Sequence, residues 1–153
     1  MVKTRLTNHF REMWINSARH SHKGLEYLEL SRFDCEIKPY LNFILRDRSI
    51  IKMLKMRTGN HILSVEIDRY NNRKLYEERL CTLCNLRKIQ DLYHVMVECP
   101  KFEETRKSKL SKLVKLDKAE FYSCLNNINQ KDLAIVAKFM DNIEETIKQR
   151  LIK

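Results

Sequence analysis

Three cysteines and one histidine fall within nineteen residues of this chain. They run Cys81-Thr-Leu-Cys84, then His94, then Cys99, a spacing of C-x2-C-x9-H-x4-C. Zinc takes four thiolate or imidazole donors in a tetrahedron, and a closed Cys3His set leaves no position for a reacting ligand. The spacing therefore predicts a structural zinc site with Cys81, Cys84, His94 and Cys99 as its ligands. A chain stapled in this way must bring a CxxC turn against the bend between two helices, which restricts the folds open to it.

The residues around the ligands suit such a bend. Asp91 can cap a short helix carrying Tyr93, His94, Val95, Met96 and Val97. Pro100 stops that helix and can open the next one. On one ideal helix His94 and Cys99 would diverge by roughly 140°, so a break at Pro100 is what lets both face one ion. Between 79 and 100 the aliphatics Leu80, Leu83, Leu86, Ile89, Leu92 and Val95 keep no clean period. Burial alone is then a weak basis for the segment's shape, whereas a structural zinc contributes roughly 10 kcal/mol or more to folding.

Rival chemistries fit less well. A redox CxxC opens a helix after a strand, but residues 71–79 offer only Leu75 and Tyr76 as apolar groups. Zinc deaminases place a His-x-Glu pair before Pro-Cys-x-x-Cys. Here Leu80 precedes Cys81, and His94 follows the CxxC with Met96 two residues on. With two glycines there is no Walker loop and no Rossmann fingerprint. No pair of carboxylates stands out as acid and base, so the expectation is a protein without catalysis. His9, His20, His22 and His61 lack cysteine neighbours at ligand spacing.

The expected fold is mainly α: several short helices around one core, with a small Cys3His zinc knuckle between helices. Residues 1–38 read as an N-terminal helical extension, 39–116 as a helical zinc-binding module with its knuckle at 79–100, and 117–153 as an amphipathic helical tail packing on that module. Pro39 and Gly59 bracket a helix from Tyr40 to Arg57, and His61 to Tyr70 forms a shorter one. From Pro100 to Leu116 the stripe is Phe102, Leu110, Leu113 and Leu116, with Arg106 among the apolar positions. Arg106 there either snorkels at an edge or folds back under the zinc turn and ties helix to knuckle by hydrogen bonds. Leu133, Val136, Ala137, Met140, Ile143, Ile147 and Leu151 share one face of the last helix. Cys35 and Cys124 read as small core residues.

Thirty Lys and Arg against 20 Asp and Glu give a net charge of +10, which favours anionic partners, nucleic acid first. No apolar run is long enough to cross a bilayer, and the start, Met1 to Trp14, lacks the apolar region of a signal peptide. An odd count of five cysteines fits reduced thiols. The expected location is nucleus or cytoplasm, not secreted, with no membrane partner.

Leu54-Lys-Met-Arg57-Thr-Gly59-Asn-His61, Cys81-x2-Cys84, His94-Val-Met-Val-Glu-Cys99-Pro100-Lys-Phe102 and Arg106 together resemble the zinc-binding region at the C-terminal end of non-LTR (LINE-type) retrotransposon reverse transcriptases. The likeness is good over about residues 40–110 and looser on either side. It implies the same four zinc ligands, a helical tail, and contact with element RNA or target DNA. Arg57 and Arg106 match the family's recurrent arginines, while His61 is displaced from Gly59 by Asn60. No Tyr-x-Asp-Asp polymerase signature is present, so polymerisation does not carry over.

The expected nucleic-acid contacts are Arg57, Arg73, Lys74, Arg79, Arg87, Lys88, Arg106 and Lys107, with Lys52, Lys55, Lys112 and Lys115 adding charge. Zinc would fix the turn around Arg79, Arg87 and Lys88 before binding and so lower the entropy cost. The alternatives are a zinc-scaffolded protein adaptor that docks through its C-terminal helix, and an element remnant without selected function.

Overall fold

The regular apolar stripe near the C-terminus forms the longest helix among the described residues, Gln130–Leu151. The computed structural model describes residues 2–20, 48–111 and 115–151. In chain order its helices are α1 (Val2–Arg19), α2 (Arg48–Arg57), α3 (Ser64–Tyr70), α4 (Glu103–Lys109), α5 (Lys118–Asn126) and α6 (Gln130–Leu151). The protein is mainly helical; among the described residues the one pairing of extended chain is an isolated antiparallel bridge between Leu80 and Ile89. Cys35, Pro39 and the start of the helix expected from Tyr40 lie outside the described residues, as do His22, Lys112 and Leu113.

Local chemistry explains the helix ends. Gly59 takes φ 62° just past α2. Its N–H donates to the Met56 carbonyl (3.3 Å), and that of Asn60 to the Lys55 carbonyl (2.8 Å). This is a Schellman stop, in which glycine meets the left-handed conformation without a Cβ clash. Asp117 caps α5 by accepting from the Glu120 N–H (2.8 Å), while Glu120 accepts from the Asp117 N–H (2.9 Å). A cap of this kind contributes about 1 kcal/mol. Asn129 does the same for α6 through Asp132 N–H (2.9 Å).

α6 packs along α2. The stripe Leu133, Val136, Ala137, Met140, Ile143 and Ile147 is buried and, Ala137 aside, belongs to one core with Ile50, Met53 and Met56 of α2 and Phe121, Tyr122 and Leu125 of α5. The apolar face of the last helix thus packs into the chain's own core, as expected, and is not left open for the partner docking that the adaptor alternative requires. At the edge of this contact Lys52 bridges Asp141 and Glu144, each at 2.8 Å. No helix among the described residues is long and apolar enough to cross a membrane.

Two expectations are corrected by packing. The helix after Pro100 is shorter than its stripe suggested. Pro100–Phe102 makes a 3-10 turn, α4 ends at Lys109, and Leu110 enters the core. The chain beyond is held instead by Tyr93, whose hydroxyl donates to the Leu116 carbonyl at 2.9 Å. The segment before Pro100 is also better anchored than its irregular pattern implied. Leu92, Val95 and Met96 are fully buried, and three such side chains contribute roughly 5–9 kcal/mol. That is of the same order as a structural metal contributes, so the shape of the segment does not depend on coordination alone.

Candidate metal centre

The CxxC turn lies in the long loop of a short hairpin whose one bridge pairs Leu80 with Ile89. Cys81 N–H donates to Lys88 O (2.8 Å) and Gln90 N–H to Arg79 O (2.9 Å), placing Cys81 and Cys84 over the segment that carries His94 and Cys99. Asp91 caps that segment as expected, its carboxylate accepting from His94 N–H at 2.7 Å. From His94 to Glu98 the backbone then widens into a π-turn, with Cys99 N–H donating to His94 O at 2.7 Å. A π-turn closes five residues apart rather than four. It brings His94 and Cys99 to one side, where an α-helix would separate them. The bend at Pro100 alone had been expected to do this; the widened turn supplies the rest.

The four donor atoms of Cys81, Cys84, His94 and Cys99 all lie within 4.8 Å of one another. Cys84 Sγ stands 3.4 Å from His94 Nε2. A tetrahedral ion with ordinary Zn–S and Zn–N lengths places such a pair about 3.6 Å apart. Cys81, His94 and Cys99 are buried and Cys84 is half-buried, and all four cysteines among the described residues are free of disulfides. The arrangement is therefore compatible with a closed metal site.

Electrostatics point the same way. The Cys99 thiol hydrogen-bonds to Cys81 and draws the Cys81 thiol down to about 3, against the opposing effect of burial and with further help from His94. The same bond pushes the Cys99 thiol up. Burial pulls the His94 imidazole down, but hydrogen bonds with Cys81 and Glu98 outweigh it and leave it raised. Three sulfurs this close cannot all be thiolates unless a cation lies between them. A divalent ion among them would allow it.

Outer partners orient the donors. His94 Nδ1 faces Glu98 Oε2 at 3.2 Å, which leaves Nε2 able to ligate a metal, the carboxylate–histidine arrangement common at metal sites. Glu98 also accepts from Lys88 Nζ at 2.6 Å. Gln90 is 1 % exposed. Its Nε2 points at Cys81 Sγ (3.5 Å), and its Oε1 accepts from Ser64 N–H (2.9 Å) and Ser64 hydroxyl (2.6 Å). α3 is thereby tied to the first ligand. Neither Gln90 nor Glu98 stood out in the sequence. Glu98 had a signal, a carboxylate one turn after a ligand histidine; Gln90 had none.

Arginines tie the knuckle to the core. Arg106, 4 % exposed, donates to the carbonyls of Met96 (3.3 Å) and Cys99 (3.0 Å). This is the fold-back beneath the turn, not an edge position. Burial lowers its guanidinium's pKa, opposed by the Cys99 sulfur. Arg79, 6 % exposed, donates to Lys74 O (3.1 and 2.9 Å) and Val65 O (3.0 Å). Arg57, equally buried, donates to Asn126 Oδ1 at 2.9 Å.

The expected phosphate contacts thus separate into three groups. Arg57, Arg79 and Arg106 are buried with protein partners and do not present a surface charge. Lys74, Lys88 and Lys107 are paired with Asp68 (3.0 Å), Glu98 (2.6 Å) and Glu103 (2.7 Å). Arg73 and Arg87 are exposed. His61 is buried beside the core and far from ligand spacing. Comparison with protein-family models, with curated proteins and with solved structures returns no match for this chain.

Proposed function

We propose that this chain is a non-catalytic, zinc-stabilised module that binds nucleic acid, of the kind found at the C-terminal end of non-LTR retrotransposon reverse transcriptases. The convergence of Cys81, Cys84, His94 and Cys99 within 4.8 Å carries the reading. Three thiols and an imidazole suit zinc, where magnesium or calcium would require oxygen donors. Four protein ligands close the site, so the ion's contribution is to folding and to the position of the surfaces around it.

The nucleic-acid half is supported by the charge of +10 and by the sequence resemblance. Attraction of this origin is to phosphate, and it weakens as counterions compete. The test is fluorescence anisotropy with random-sequence oligonucleotides from 50 to 200 mM salt. Affinity falls at least about tenfold over that range if two or more phosphates are neutralised. Binding that ignores salt, or no binding at 50 mM, contradicts the proposal.

A further inference from the structure

The knuckle is a poor place for a phosphate backbone. Of its two arginines Arg79 is buried and only Arg87 is exposed, Lys88 is paired with Glu98, and the flanking Arg106, Lys74 and Lys107 are likewise buried or paired. Three thiolates around one divalent ion also carry a net charge of −1. The surplus positive charge collects elsewhere. Between α2 and α6, with the end of α4 as one wall, lies a cleft of about 600 Å³. Arg48 and Lys55 of α2, Lys109 of α4, and Lys138 and Lys148 of α6 line it. All five are exposed, and none makes an ion pair with a described residue. Of the acidic groups in the cleft, Asp141 and Glu144 are engaged by Lys52, leaving Glu145 alone against the five cations.

We propose that this α2–α6 cleft is the nucleic-acid site, and that its ligand is the phosphate backbone of a duplex. The inference rests on the nucleic-acid reading above and gives it a location. Unpaired bases need aromatic platforms, and the one ring in the cleft, Phe139, is 2 % exposed. Lysines on separate helices can instead reach successive phosphates without reading base edges. The zinc knuckle acts at a distance, since Arg106 fixes α4, and with it Lys109, to the Cys99 turn.

The test compares three variants of the full chain with wild type, each checked for helical content and bound zinc. One is Lys55→Glu/Lys109→Glu/Lys138→Glu, the second the same positions changed to Gln, and the third Arg73→Glu/Arg87→Glu at the knuckle. The probes are a random 20-base-pair duplex and one of its strands. The Glu variant is expected to lose at least about tenfold in duplex affinity, with the salt slope reduced by about 2–3. The Gln variant shows a smaller loss in the same direction, so a folding defect of the reversal does not decide the outcome. The knuckle variant stays within about threefold of wild type. Unchanged duplex affinity in both cleft variants overturns the assignment and leaves the cleft to an acidic protein partner. A larger loss in the knuckle variant, or tighter binding of the single strand than of the duplex, also overturns it. A wild-type protein that binds neither probe removes the functional proposal itself.

Discussion

Stripping the metal with a strong chelator is expected to lower the thermal midpoint by at least about 10 °C and to release the hairpin from Arg79 to Gln90. Structural zinc is worth roughly 10 kcal/mol in small units, and a domain's whole stability is about 5–15 kcal/mol. A net loss of ~5 kcal/mol already gives the stated shift, at 2–4 °C per kcal/mol for a chain of this size. The loss is uneven along the chain. Leu92, Val95, Met96 and Cys99 are fully buried and keep their half of the site near the core. The hairpin carries exposed Leu80 and Leu86, has a single β-bridge, and is otherwise tied down at its two ends by Arg79 and Gln90 and by the exposed Lys88–Glu98 pair. Hydrogen exchange should therefore rise first at Cys81 and Gln90 N–H. Cys84→Ser removes one donor and should reproduce the effect without chelator. An unchanged midpoint and unchanged exchange would mean that no metal supports the fold.

Replacing Arg106 is expected to be as damaging as truncating a large core side chain. Arg106→Ala removes the guanidinium donor from the Met96 and Cys99 carbonyls in a buried site, leaving Cys99 O with the Phe102 N–H at 3.2 Å. Each charged hydrogen bond of this kind contributes about 1.5–3 kcal/mol, and there are two of them. A loss of about 3–4 kcal/mol by urea unfolding follows. Lysine does not rescue it, because one ammonium cannot supply the planar fork that reaches two carbonyls. The variant should also hold zinc more weakly in a chelator competition, since the Cys99 backbone loses its support and the thiolates lose a nearby cation. An exposed snorkelling arginine would give a loss under about 1 kcal/mol with zinc affinity intact.

The Cys3His cluster was legible because its chemistry is written in residue type and spacing. Cys81, Cys84, His94 and Cys99 need only be found at workable separations, and Asp91, Gly59 and Pro100 mark local backbone events that each residue imposes by itself. The arginines were not legible. Arg57, Arg79 and Arg106 look in sequence like Arg73 and Arg87, and only the packing of α3, α4 and α5 shows that the first three face backbone or amide oxygens inside the protein. Gln90 was hidden for the same reason, its partners Ser64 and Cys81 lying 26 and 9 residues away. The cleft depends on helices separated by about 80 residues in sequence meeting side by side, and charge counting along the chain cannot reveal that.

The most direct measurement is X-ray absorption at the zinc edge on the purified full chain, together with its metal-to-protein ratio. One zinc per chain, with three sulfurs at about 2.3 Å and one nitrogen at about 2.0–2.1 Å, is the predicted result. A substoichiometric metal content, or a shell with two or fewer sulfurs, would contradict the view that Cys81, Cys84, His94 and Cys99 grip one ion.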